Sequence, residues 1–196
     1  MESMLDCFKA KGYIAGGIIT NKRDESLDIA AMPPILRTLL VTDGTVTKTL
    51  EAYYWEPLMV EQLGQHEQAL EEDVEEMSCR KGDTVLRRNV CIRGVESGDI
   101  YAYATSIIKT QDLPEQISEQ LLQGKIGIGE LLREMGLETY RQVADIYREI
   151  KQEVVPGSSS YYCGELICRT YYIYVGHNPV IQVTEKFPYR LYIKKG

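Results

Sequence analysis

Hydrophobic and polar residues change their period several times along the chain, and each change marks an element. Residues 34–41, PILRTLLV, place Ile35, Leu36, Leu39 and Leu40 at helical spacing behind a double proline. Asp43-Gly44 turns the chain, and TVTKTLEAYY starts a second helix with Thr45 or Thr47 as its N-cap. EPLMVEQLGQHEQ alternates loosely, as a strand does, and the acidic run LEEDVEEM reads as a solvated turn or helix end. TVLRRNVCIRG and DIYAYATSIIK are two strands joined by VESGD into a hairpin. LPEQISEQLLQG is a helix with Pro114 in its first turn and Gly124 at its end, and KIGIGELLREMG is a glycine-rich loop running into a further helix. The longest periodic stretch covers residues 138–154. Tyr140, Val143, Ile146, Tyr147, Ile150 and Val154 recur there at helical spacing and predict a long helix that buries one face. ELICRTYYIYV and PVIQVTEKFP form a second hairpin with GHNP at its turn. Ser3 to Lys11 predicts a short helix capped by Ser3 and stopped by Gly12, and PGSSS, at 156–160, is a break rather than a domain boundary.

Hairpins toward both ends of a helical middle give an α+β fold, with a single antiparallel sheet whose one face is covered by helices. The length of 196 residues and the 44% hydrophobic content suit one domain spanning 1–196. No run of 18 apolar residues exists, which argues against a membrane helix. The start MESMLDCFKAKG is too acidic and polar for a signal peptide. Five cysteines, at 7, 79, 91, 163 and 168, form no CxxC pair, and a reduced cytoplasmic setting is the simplest expectation. The net charge of −7 and pI near 5.0 argue against a nucleic-acid surface. An anionic small molecule would need a locally positive pocket. His66 and His177 lie far apart and give no metal-ligand spacing.

Alternation along the strands exposes three charges on the wrong face. Ile181, Val183, Glu185 and Phe187 share one face of the last strand; Leu86, Arg88, Val90 and Ile92 share one face of an earlier strand. Ile167, Arg169, Tyr171, Ile173 and Val175 share a third. A charge on an apolar face must pair or bind something charged. Either arginine could form a buried salt bridge with Glu185. Two arginines against one glutamate leave a positive charge over, which a carboxylate ligand would complete. The starts of two helices, at Val46 after Asp43-Gly44 and at Ile128 within GKIGIGE, offer backbone N–H groups to an anion, although each signal alone is weak.

LLVTDGTVTKTLE, LRRNVCIRG, YAYATSIIK, GKIGIGELL and PVIQVTEKFP occur in the order found in the chorismate lyase family. The chain resembles that family over roughly residues 33–188, most closely the branch of archaea and of bacteria outside the ubiquinone-pathway enzymes. The resemblance implies cleavage of chorismate to 4-hydroxybenzoate and pyruvate without a cofactor. It also implies an antiparallel sheet with helices on one side enclosing a ligand pocket. On this resemblance Arg88 and Glu185 are catalytic, and Arg88, Glu185 and the backbone amides of Val46 and Ile128 bind substrate. Arg169 is a further candidate for a second substrate carboxylate, with a structural role as its alternative. Where the ubiquinone-pathway branch carries Arg-Thr, this chain has Thr105-Ser106. The runner-up function is a non-catalytic domain of the same fold that senses an aromatic carboxylate.

Overall fold

The structure, a computed structural model, describes residues 17–123, 127–154 and 161–193. The short helix expected at Ser3–Lys11 and the break at PGSSS lie outside these residues. A six-stranded antiparallel sheet, in the order β3-β4-β5-β8-β7-β6, carries the fold. Its strands are β3 (Leu58–Ala69), β4 (Thr84–Gly94), β5 (Ile100–Ile108), β6 (Thr139–Val154), β7 (Tyr161–Val175) and β8 (Asn178–Pro188). A second, two-stranded sheet pairs β1 (Ile18–Thr20) with β2 (Ser26–Asp28). The helices are α1 (Pro34–Val41), α2 (Val46–Tyr54), α3 (Glu115–Gln123), α4 (Ile128–Glu134) and α5 (Tyr189–Tyr192).

The helices expected at Pro34 and after Gly44 form as the pattern requires. Pro34 occupies the first turn of α1, where a missing N–H costs nothing, and Leu36, Leu39 and Leu40 are buried. Thr45 stands at the N-cap of α2, but its side chain makes no capping bond. The β7–β8 turn is tighter than GHNP suggests. Gly176 and His177 close it between Val175 and Asn178, with Gly176 at φ +60.

Residues 138–154 are not a helix. Thr139–Val154 is the edge strand β6, paired with β7 along its whole length. The register slips between Val143 and Asp145, so that Ala144 is the extra residue of a β-bulge. Val143 lies opposite Tyr171 and Ile146 opposite Arg169, both on the helix-covered side of the sheet. The bulge thus puts two residues three apart on one face, which is the spacing of a helix. Ile146 and Tyr147 are both buried because each face of the strand has cover there, whereas Tyr140 and Ile150 are exposed. The β-branched and aromatic residues that looked like a helical stripe are also those that suit a strand.

The helix-covered face holds two apolar clusters. One joins Leu36, Leu39, Leu40 and Leu50 of α1 and α2 to Ile146, Ile167 and Phe187 of the sheet, and takes in Ile19 and Leu27 of the β1–β2 hairpin. The other packs Ile117, Leu121, Leu131 and Leu132 of α3 and α4 against Leu86, Ile108, Ile173 and Ile181. Between the clusters the sheet presents Arg88, Ala104, Ser106 and Glu185, which are small or polar. The opposite face is partly covered by the β3–β4 connection, where Leu70, Met77 and Cys79 pack on Val85 and Tyr172. Among the described residues no helix is long and apolar enough to cross a membrane. Cys79, Cys91 and Cys168 are buried free thiols.

Candidate active site

A cavity of about 320 Å³ lies over the gap between the two clusters. Ligand pockets begin at about this size. Arg88, Ser106, Tyr171, Val183 and Glu185 form part of its floor, and the first residues of α2 and α4, Val46 and Ile128, line it from the helix side. Of the five residues singled out in the sequence, four therefore line one cavity. The fifth, Arg169, does not.

Glu185 is 6% exposed, and Arg169 lies directly opposite it on β7. Arg169 donates to Glu185 Oε2 from Nε at 3.2 Å and from Nη2 at 2.6 Å. Its Nη1 donates to the Thr42 carbonyl oxygen at 2.9 Å. The salt-bridge alternative for Arg169 is thus what the structure forms. The guanidinium, at 1% exposure, backs Glu185 and does not line the cavity. The donors of Arg169 are turned toward Glu185 and the end of α1, which is the structural role weighed for it beside contact with a second substrate carboxylate. A cation also suits the C-terminal end of a helix.

Tyr171 completes the surroundings of Glu185. Its hydroxyl donates to Oε1 at 3.1 Å, and its ring carries the Arg169 guanidinium at 4.8 Å from the centroid. Burial, together with the nearby Glu185, raises the pKa of Tyr171, so it stays a protonated donor. Glu185 is therefore held at both oxygens, with its carboxyl on the cavity wall.

Arg88 is 3% exposed and lies opposite Ser106 on β5. Burial lowers its pKa, yet an arginine keeps its proton. Arg87 sits on the other face and does not line the cavity. Alternation therefore identified the arginine of the pair that reaches it.

Val46 and Ile128 are the first residues of their helices. The N-caps, Thr45 and Gly127, contribute no side-chain bond, so the first N–H groups lack the usual capping partner. The loop before α2 is tied to the sheet by two arginines. Arg169 takes the carbonyl of Thr42, and Arg141 Nη1 donates to the carbonyl of Asp43 at 2.6 Å.

Arg141 and Tyr171 are among the wall residues that the sequence left without a role. Tyr171 was on the marked face of β7. Arg141 could not be placed, because its segment had the period of a helix. The wall carries Lys48, Arg88, Arg133 and Arg141 against Glu51, Glu130 and Glu185. In a chain of net charge −7, this is the locally positive surface that an anion needs. Lys48 is 68% exposed and bonded to Glu51 at 2.9 Å. That contact, first among several, holds the Glu51 carboxyl below its ordinary value.

A family model described as chorismate pyruvate-lyase, Rv2949c-like, matches residues 40–194. A protein of Mycobacterium leprae named chorismate pyruvate-lyase is 27% identical over 173 residues, 86% of this chain and 81% of that protein. Its namesake from Mycobacterium tuberculosis H37Rv is 24% identical over 160 residues, 78% of each chain. Among solved structures, PhnF from Mycobacterium smegmatis superposes with a TM-score of 0.54 at 12% identity, over 76% of this chain and 65% of that one. A possible transcriptional regulator from Bacillus subtilis, YydK, gives 0.51 at 11% identity, over 95% of this chain and 76% of that one. At such identities the two structures bear on the fold alone.

Proposed function

Because the chain belongs to the Rv2949c-like chorismate pyruvate-lyase family, a family of lyases, we propose that it cleaves chorismate to 4-hydroxybenzoate and pyruvate. The observation that carries this reading is the cavity that brings together a buried arginine, Arg88, and a buried carboxylate, Glu185, held by Arg169 and Tyr171.

Chorismate carries a ring carboxylate, a second carboxylate on its enolpyruvyl ether, and a ring hydroxyl. In the reaction the ether C–O bond at the ring breaks and the neighbouring carbon, which bears the hydroxyl, loses its hydrogen. The ring becomes aromatic, and the released enolpyruvate takes a proton on its methylene carbon to give pyruvate. Aromatisation makes the step strongly downhill. The protein must hold one conformer and place donors where charge develops. Arg88 binds a substrate carboxylate in this scheme, assisted by the backbone N–H groups of Val46 and Ile128. Glu185 takes the ring hydroxyl or the migrating proton. Tyr171 and Arg169 act through Glu185, fixing the direction of its carboxyl. The scheme calls on no cofactor.

The test is incubation of the purified protein with chorismate, with both products measured. Equal amounts of 4-hydroxybenzoate and pyruvate are expected. Intact chorismate, or an aromatic product other than 4-hydroxybenzoate, overturns the proposal. Tight binding of 4-hydroxybenzoate without turnover would instead support a sensing domain.

A further inference from the structure

We infer that Arg141 receives the second carboxylate of the substrate and sets the preference of the cavity for a dianion over a monoanion. The inference rests on the chorismate reading and adds a residue to it. A dicarboxylate bound with one end at Arg88 brings a second negative charge into a cavity whose floor groups, Arg88 and Glu185, are buried. That charge needs its own cation.

Four cations border the cavity or back its wall beside Arg88. Arg169 is bonded to Glu185 and to the Thr42 carbonyl. Lys48 is bonded to Glu51 and is mostly in solvent. Arg133 is exposed, near the end of α4. Arg141 is half-buried on the cavity wall, and among the described residues no carboxylate pairs with it. Its acceptor is the neutral carbonyl oxygen of Asp43, which aims the guanidinium without cancelling its charge. A Cβ built on Gly129 would stand 3.3 Å from Arg141 Nη2. The second amino group therefore lies against backbone that bears no side chain, at the start of α4 beside Ile128.

The register also suits a ligand with charge at both ends. Arg88 is on β4 and Arg141 on β6, with β5, β8 and β7 between them. Four strand spacings put their backbones about 19 Å apart. Two long side chains reaching inward from opposite sides leave a gap on the scale of a small aromatic dicarboxylate. Arg141 lies opposite Ile173, which also lines the cavity. Arginine is suited to such a contact because its planar fork binds a carboxylate through two parallel bonds.

The experiment compares wild type, Arg141→Gln and Arg141→Lys. It measures kcat and KM for chorismate, and Kd for chorismate and for the monoanion 4-hydroxybenzoate, with melting temperature as the control for folding. Arg141→Gln should raise KM and chorismate Kd by about ten- to a hundredfold, the usual effect of losing a charged hydrogen bond. Its 4-hydroxybenzoate Kd should stay within about threefold of wild type, a small change on this scale. Arg141→Lys should recover part of the loss. If chorismate and 4-hydroxybenzoate affinities fall together, Arg141 only braces the Asp43 loop and the inference fails. It fails equally if chorismate binding does not change. Should the wild type bind chorismate without turning it over, the lyase reading falls. The two Kd values then still decide whether Arg141 selects the dianion.

Discussion

Replacing Glu185 by glutamine keeps the size of the side chain and removes its charge, and the surrounding contacts determine the cost. Wild-type Glu185 accepts two bonds from Arg169 on one oxygen and one from Tyr171 on the other. In the variant the amide oxygen can still accept from Arg169 and the amide nitrogen can donate to the Tyr171 oxygen. What is lost is the counter-charge of a guanidinium that is 1% exposed. Breaking a buried ion pair by removing one partner costs about 3–5 kcal/mol. Arg169 keeps its bond to the Thr42 carbonyl and an acceptor in the glutamine, so the lower end, about 3 kcal/mol, applies. For a domain of this size 1 kcal/mol moves the melting temperature by about 2–4 °C, so a fall of about 6–12 °C is expected. Turnover of chorismate per folded molecule should fall by about two to four powers of ten.

The two effects can be pulled apart. The double variant Arg169→Met/Glu185→Leu replaces the pair by apolar side chains of similar size, and such replacements are often neutral or stabilising. It should melt near the wild type and remain inactive. Calorimetry or circular dichroism gives the first quantity, and a coupled pyruvate assay the second. A single Glu185→Gln variant that melts within about 2 °C of wild type, less than the shift expected for 1 kcal/mol, would show that the pair holds nothing together. Full turnover in the double variant would refute the role of Glu185 in the chemistry.

Three further outcomes are expected from the cavity and the turns around it. Arg88→Ala should weaken 4-hydroxybenzoate binding by about 1.5–3 kcal/mol, and Arg87→Ala should leave it nearly unchanged; titrations in which Arg87→Ala does the damage would reverse the strand register. Gly129→Ala should raise the melting temperature slightly, since alanine is favoured in a helix, yet worsen KM for chorismate by crowding Arg141; an unchanged KM would show that the guanidinium does not need that space. Glu56 accepts from the Tyr101 hydroxyl and from the backbone N–H groups of Ser97 and Glu96, which hold its carboxyl down from 4.5 to about 2. A group depressed in the folded state contributes stability that is present above its unfolded pKa and lost as pH falls through the folded value. Glu56→Gln should therefore flatten the stability–pH curve between about 4.5 and 2; an unaltered curve would sink that assignment.

Period-2 alternation was enough to find the cavity floor. Arg88 and Glu185 each interrupt an apolar strand face, and the sheet brings those faces together because antiparallel pairing carries alternation from strand to strand. The pairing partner of Glu185 was not legible. Choosing between Arg88 and Arg169 requires the register of β7 against β8, which depends on the Gly176-His177 turn and on the one-residue slip at Val180 between the pairs Tyr174–Pro179 and Ile173–Ile181, and GHNP marks only the turn. The β1–β2 hairpin was missed because its strands have three residues each, too few for a period. Its signal lay in the turn, where Asn21 Oδ1 accepts from the backbone N–H groups of Arg23 and Glu25, both at 2.9 Å.

The misreading of β6 and the omission of Arg141 have one physical cause. In a regular strand Val143 and Ile146 would face opposite sides, and the apolar pattern of residues 140–150 would alternate. With Ala144 extruded at the bulge, Arg141 and Val143 keep the cavity face before it, and Ile146 returns to that face after it. Apolar neighbours three apart then mimic a helix. Without the bulge, Asp145 and Tyr147 would take the cavity face and Ile146, which is 0% exposed, would leave the core. The bulge also leaves Asp145 on the far side, where its Oδ1 accepts the backbone N–H of Lys22 at 3.1 Å and fastens the β1–β2 hairpin. One inserted residue thus lets the same strand aim an arginine into the cavity, pack a core isoleucine and hold a separate hairpin. A bulge beside a functional cleft is a common way to re-aim a side chain. Here it is what gives β6 a share in the site.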